Sequence, residues 1–234
     1  MQRSSFSFIY LPGFHGTDSL YSELVRNLEG RSSDSHSITY PVTLSQDYET
    51  LYQWLVEELD LSHPRVIIAE SFSSPLAIRL AAEFPHSVKA LIIAGGFCSS
   101  PLPAILSALP FQPLMMLNPP KRFIRYFLLD DTSEKELIDK VAESTSALPS
   151  KTFAQRVRAI LSLKAEPCET QVQAATLLIQ ASRDQVLDKN TQLIMQSHLP
   201  HARVHWIDSP HLIFQQYPVY CSELISSFLD TLPE

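Results

Sequence analysis

Three side chains of the types needed for nucleophilic catalysis occur along the chain in the order serine, carboxylate, histidine. Ser71 lies in Ala69-Glu70-Ser71-Phe72-Ser73, directly after the apolar run 66–69 and before a helical pattern; Asp184 follows a second apolar run, 176–180, and His211 a third, 204–207. A serine hydroxyl is a poor nucleophile at neutral pH because its proton must leave as attack begins. A histidine base oriented by a carboxylate removes that obstacle. At a strand-to-helix junction the backbone at Ser71 must turn sharply, which projects the hydroxyl and tolerates only small residues two places to either side. Ala69 and Ser73 hold those places. Taken alone, Ser71 reads more readily as a helix-capping serine than as a nucleophile. Asp188 is a second candidate for the carboxylate, and either aspartate alone also fits a turn or cap. Asp208, three residues before His211, is less well placed to reach its ring.

The elements that must position these groups are legible as short apolar runs between longer amphipathic stretches. Residues 6–11, 37–40, 66–69, 88–94, 176–180 and 204–207 read as about six strands. Helical patterns fall at 20–28, 48–59, 73–84, 189–199 and 212–229, with apolar spacing such as Leu51, Trp54 and Leu55. Strands alternating with helices predict an α/β fold, a mostly parallel sheet covered on both faces. The alternation breaks once, between about residues 98 and 164, where no strand pattern occurs. The proline-rich start 101–120 is followed by helical patterns at 122–129, 134–144 and 152–163. The domain reading is therefore a core of 1–97 and 165–234 interrupted by a helical insertion, 98–164.

Composition narrows the function classes. The 234 residues, 45% hydrophobic and 18% charged, suit one globular domain with a substantial core. With 25 acidic against 18 basic side chains the net charge is −7, which disfavours a nucleic-acid partner. Residues 98–170 differ, holding 9 basic and 8 acidic side chains against 9 and 17 elsewhere. Cys98, Cys168 and Cys221 show neither disulfide-framework nor metal-ligand spacing, so a cytoplasmic setting is expected. No run approaches the ~20 apolar residues of a membrane span.

One further motif makes a family resemblance specific. Tyr10-Leu11-Pro12-Gly13-Phe14-His15-Gly16-Thr17 closes the first strand and resembles the oxyanion loop of α/β-hydrolase fold enzymes. The Ser–Asp–His order resembles that superfamily too, as opposed to the orders of chymotrypsin or subtilisin. The resemblance spans nearly the whole chain, without the usual first hairpin. It implies an α/β-hydrolase fold with a helical lid, a triad of Ser71, Asp184 and His211, and an oxyanion hole formed by the backbone N–H groups of Phe14 and Phe72. It implies no cofactor and no metal. The chain departs from the family at Pro12, where histidine is frequent, at Ala69 and Ser73 in place of the elbow glycines, and at Pro210 in place of the glycine before the histidine.

Within the superfamily, the LPGxxGT loop with an ESFS elbow is similar to bacterial hydrolases related to the pimeloyl-[acyl-carrier protein] methyl ester esterase group. That likeness implies a serine carboxylesterase acting on an acyl ester, with an acyl carrier protein as a candidate partner. Residues of the expected lid, among them Met115 and Met116, are candidates to line an acyl pocket, although packing onto the sheet is the commoner use of such side chains. Lys121, Arg122 and Arg125 are candidates to receive a phosphate or an acidic carrier, against the simpler reading of a solvated helix face. His15, inside the oxyanion loop, is a candidate substrate contact or a loop-packing residue. The other histidines have no nameable partner. A thioesterase or acyltransferase would use the same triad, a C–C bond hydrolase or haloperoxidase the same scaffold. The replaced glycines leave open a non-catalytic binding protein.

Overall fold

Runs such as Val66-Ile67-Ile68-Ala69 are apolar at every position because both faces of their strand are covered. The computed structural model of the chain describes residues 6–101, 121–164 and 172–233. Its strands β1 (Phe6–Leu11), β2 (Ser32–Ser37), β3 (Arg65–Glu70), β4 (Val88–Ala94), β5 (Ala175–Ala181) and β6 (Arg203–Ile207) form one sheet in the order β2-β1-β3-β4-β5-β6. Every neighbouring pair runs parallel.

Alternate side chains sort the core into two halves. Phe8, Tyr10, Ile68, Ile92 and Ile179 face α1 (Ser22–Leu28), α8 (Ile213–Gln216) and α9 (Pro218–Leu229). Ile9, Leu11, Ile67, Leu91, Ile93 and Leu178 face α2 (Tyr48–Glu58), α3 (Ser74–Glu83) and α7 (Lys189–His198). Between β4 and β5 the described chain forms α4 (Lys121–Phe127), α5 (Lys135–Ala147) and α6 (Ser150–Ser162). Ile124, Leu129, Val141 and Ala142 of this segment pack on Leu20 and Leu212.

Two boundaries differ from the sequence reading. The second strand is the polar stretch Ser32–Ser37, not 37–40; it is an edge strand, exposed along its middle, and needs only backbone pairing to β1. Ile38 and Tyr40 are buried just beyond it, the Ile38 N–H donating to the Tyr10 carbonyl (2.9 Å). The last helical pattern is two helices, because Pro218 at the start of α9 cannot continue the ladder of α8.

The chain leaves β1 for β2 on one side and returns to β3 on the other. That reversal opens a crevice at the carboxyl ends of β1 and β3. Leu11 pairs with Ala69 there, which sets the loop after β1 beside the turn after β3.

Candidate active site

At the end of β3 the backbone passes from extended Glu70 into a single 3-10 turn, Ser71–Ser73, and then α3. Ser71 has φ +46°, the one positive value at a non-glycine among the described residues. A left-handed residue with a Cβ costs on the order of 1–2 kcal/mol. Here it projects the Ser71 hydroxyl above the sheet. The hydroxyl donates to His211 Nε2 at 2.9 Å, and His211 Nδ1–H donates to Asp184 Oδ2 at 2.8 Å. These two bonds require the tautomer protonated at Nδ1.

Asp184 follows β5, and its second oxygen accepts the N–H groups of Val186 and Leu187, both at 2.8 Å. The carboxylate is thus fixed by its own turn with one oxygen aimed at the ring. Asp188 instead caps α7, accepting the Thr191 N–H at 2.7 Å, and Asp208 pairs with Arg183 at 2.8 Å. Neither meets His211. The His211 ring lies against Gly95, whose φ is +55° and where a Cβ would stand 3.3 Å from ring carbon Cε1. Burial lowers the His211 pKa, but the Asp184 charge and hydrogen bond, with Glu70 adding, outweigh it and hold it above the ordinary value.

The loop after β1 turns through Phe14 and His15, closed by the Gly16 N–H on the Gly13 carbonyl at 3.0 Å. That turn does not consume the Phe14 N–H. Phe72, in the first turn after the elbow, has an N–H that no helical carbonyl can reach. Their rings meet edge to face at 6.2 Å. Loop and elbow are joined by Ser73, whose hydroxyl donates to the Pro12 carbonyl and accepts from Tyr40 Oη at 2.5 Å.

His15 is buried against Tyr21, with ring centroids 6.4 Å apart, and burial pushes its pKa down to about 4. Its Nε2 is buried and has no partner among the described residues. On α4, Lys121 pairs with Asp139 at 2.6 Å and Arg125 with Asp131 at 2.8 Å, while Arg122 is exposed. Met115 and Met116 lie outside the described residues.

The geometry adds groups that no sequence pattern singled out. Glu70, immediately before Ser71, is fully buried; one oxygen accepts Gln215 Nε2 at 3.2 Å and the other has no partner among the described residues. Burial raises its pKa to about 7, against the lowering influence of His211 and Gln215. A charged residue closing an apolar strand was the one available signal. Arg156, bonded to the Phe14 carbonyl in the loop after β1, and its partner Gln46 are buried and gave none.

Solved structures superpose on nearly the entire chain. An esterase (EaEST) from Exiguobacterium antarcticum matches at TM-score 0.81 and 14% identity, covering 98% of this chain and 93% of its own. The enol-lactonase from Burkholderia xenovorans LB400 matches at TM-score 0.78 and 12% identity, covering 97% and 92%. This chain has the α/β-hydrolase fold. MenH from S. aureus also matches at TM-score 0.78 and 12% identity, covering 97% of this chain and 94% of its own. No protein-family model and no curated protein matches the sequence. The shared α/β-hydrolase architecture confirms the expected fold class. Identities this low carry no activity from one chain to another.

Proposed function

We propose that this chain is a serine hydrolase of carboxylic esters. The observation that carries the reading is the relay itself: a serine held at positive φ, bonded at 2.9 Å to a histidine that is bonded at 2.8 Å to a fixed carboxylate. In this reading His211 Nε2 takes the Ser71 proton as Ser71 Oγ attacks the ester carbonyl. The N–H groups of Phe14 and Phe72 stabilise the oxyanion, and the protonated His211 returns the proton to the leaving alkoxide. Water then attacks the acyl-enzyme with His211 again as base. The esterases and hydrolases among the structural neighbours support the reaction class.

The segment 98–164 serves in this proposal as a cap over Ser71, supported by the place of its described helices between β4 and β5 and by the packing of Ile124, Leu129, Val141 and Ala142 with Leu212, next to His211. A small ester fits better than a carrier-linked one. Lys121 and Arg125, two of the three cations on which an acidic carrier would dock, are already paired with aspartates. Of the resemblance to the carrier-protein methyl ester esterases, this proposal keeps the ester chemistry; the paired cations lend the carrier no support. A cytoplasmic setting belongs to the same proposal. Among the described residues no helix is long and apolar enough to cross a membrane.

The test is labelling with a fluorophosphonate followed by peptide mapping. Wild-type protein should carry the adduct on Ser71, and Ser71→Ala should lose both labelling and hydrolysis of p-nitrophenyl acetate while keeping its fold. Unchanged turnover in Ser71→Ala would remove the nucleophile assignment. Thioester and alcohol-acceptor panels then separate esterase from thioesterase and acyltransferase, which share every step up to the leaving group or acceptor.

A further inference from the structure

Arg156 projects from α6 into the interior beneath the oxyanion loop and is fully buried. Its guanidinium meets only neutral acceptors: Nε and one terminal nitrogen donate to Gln46 Oε1 at 2.9 and 2.6 Å, and the other donates to the Phe14 carbonyl at 2.6 Å. Gln46 is held in turn by donating to the carbonyls of Pro41 and Leu44, at 2.9 and 3.0 Å. The guanidinium carbon lies 5.6 Å from the centre of the Phe72 ring and 5.7 Å from that of Tyr40. Arg156 therefore touches both residues whose N–H groups form the proposed oxyanion hole.

Burying a cation without a counter-charge is expensive, and an apolar residue of similar volume would fill the same space without that cost. Among the described residues Arg156 forms no ion pair. Burial lowers its pKa only to about 10, so it stays charged at neutral pH. The loop is shaped around this charge. Gly16 has φ +72°, and a Cβ there would stand 2.1 Å from an Arg156 nitrogen.

We propose that Arg156 is a positioning residue of the oxyanion site, fixing the Phe14 peptide from α6 and setting a buried positive charge one peptide group away from the Phe14 N–H. No carboxylate pairs with it among the described residues, and the negative charge it serves is the one that develops on the substrate oxygen during attack. A preorganised charge of this kind favours the tetrahedral state without reorganising as it forms. The same side chain makes the geometry of the hole depend on the seat of α6. The inference rests on the reading of Ser71 as nucleophile and Phe14 as donor.

The experiment compares full-length wild type, Arg156→Met and Arg156→Lys as complexes with an alkyl trifluoromethyl ketone. Ser71 Oγ adds to the ketone carbonyl as its proton passes to His211, giving a hemiketal whose ionisation is followed by 19F NMR. Arg156→Met should raise the hemiketal pKa by about one unit and weaken the ketone by about 10-fold. kcat on p-nitrophenyl acetate should fall by a similar factor, with KM within about twofold. Arg156→Lys, which keeps a charge but cannot bridge Gln46 and Phe14, should fall between the two.

A wild-type hemiketal pKa in Arg156→Met, or a loss confined to KM, overturns the proposal. If Arg156→Met does not fold, Arg156→Lys decides it by the same readouts, and wild-type values for that variant overturn it. If the wild type forms neither a ketone nor a fluorophosphonate adduct, the hydrolase reading fails and this inference with it. If it forms both, only the role of Arg156 is at stake.

Discussion

Two carboxylates of different character face His211. Asp184 is hydrogen-bonded on both oxygens, one to the ring and the other to two backbone N–H groups. Glu70 lies one residue from the proposed nucleophile, with an oxygen that has no partner among the described residues and a pKa raised by burial to about 7, so its charge changes near neutral pH. Under the proposed mechanism His211 must be neutral to accept the Ser71 proton, and its raised pKa should place the acidic limb of kcat/KM above the ordinary histidine value of about 6.5. Burial raises the pKa of Tyr21, at the start of α1, and of Cys221, on α9, and the Glu70 charge adds to both shifts. Glu70→Gln removes one of the charges that hold the His211 proton, so the acidic limb should move to lower pH. Because the two groups titrate together, the limb reports the pair. A pH profile of kcat/KM checks this, and an unmoved limb would show that Glu70 stays protonated throughout. Asp184→Asn should cost more, since the amide cannot hold the Nδ1–H tautomer; a fall of about 10⁴ in kcat is the scale set by related triads. A fall below tenfold would mean another group orients the ring.

At the scale of elements, the elbow and the oxyanion loop form one unit because Ser73 bonds to Pro12 and Tyr40. The sequence announces Ser73 only as a small residue two places after the nucleophile. Its hydroxyl becomes meaningful once Leu11–Ala69 register sets the two loops side by side. Ser73→Ala should leave the Tyr40 hydroxyl and the Pro12 carbonyl buried without partners, at about 1–3 kcal/mol. Thermal denaturation should show a drop of several degrees, and kcat should fall as the Phe14 N–H loses its register with Ser71. A wild-type melting temperature would mean that water replaces the hydroxyl. Strands β1 and β4 occur where apolar runs predict them, because a strand covered on both faces is apolar at nearly every position, the exceptions Ser7 and Lys89 being only half-buried near the strand starts. β2 was misplaced for the complementary reason: Ser32–Ser37 is held by hydrogen bonds to β1 and by little side-chain burial. Arg156 was invisible because a basic residue within a thirteen-residue helix reads as solvated, and only tertiary structure reveals which side chain is turned inward.

Over the whole molecule, the helices between β4 and β5 are joined to the rest by attachments of unlike kind. α6 is held by the buried Arg156, by Ala159 and Ile160 in the main core and by Phe153, edge to face on Phe14 at 4.8 Å. α4 and α5 rest on a small apolar cluster, the Leu212 N–H donating to the Leu128 carbonyl at 3.1 Å, and an ion-pair bridge in which Arg183 meets both Asp130 (3.0 Å) and Asp208 (2.8 Å). Arg183 directly precedes Asp184, so this bridge ties the end of α4 to the loop carrying the carboxylate and to the loop carrying His211. Each pair is partly solvated and contributes about 0.2–1 kcal/mol, so removing Arg183 should loosen α4 and leave the sheet intact. In Arg183→Ala, hydrogen exchange of the Lys121–Phe127 amides should quicken several-fold while β3 and β4 keep wild-type protection. The amides of α6 should change little, since Arg156 and the core contacts of Phe153, Ala159 and Ile160 do not involve Arg183. Faster exchange in α6 to the same extent would show that the three helices open as one body; unchanged exchange in α4 would show that the apolar cluster alone holds it. Salt discriminates further. Screening weakens the Arg183 pairs and leaves the buried contacts of Arg156 in place, so raised ionic strength should reproduce the Arg183→Ala pattern in the wild type.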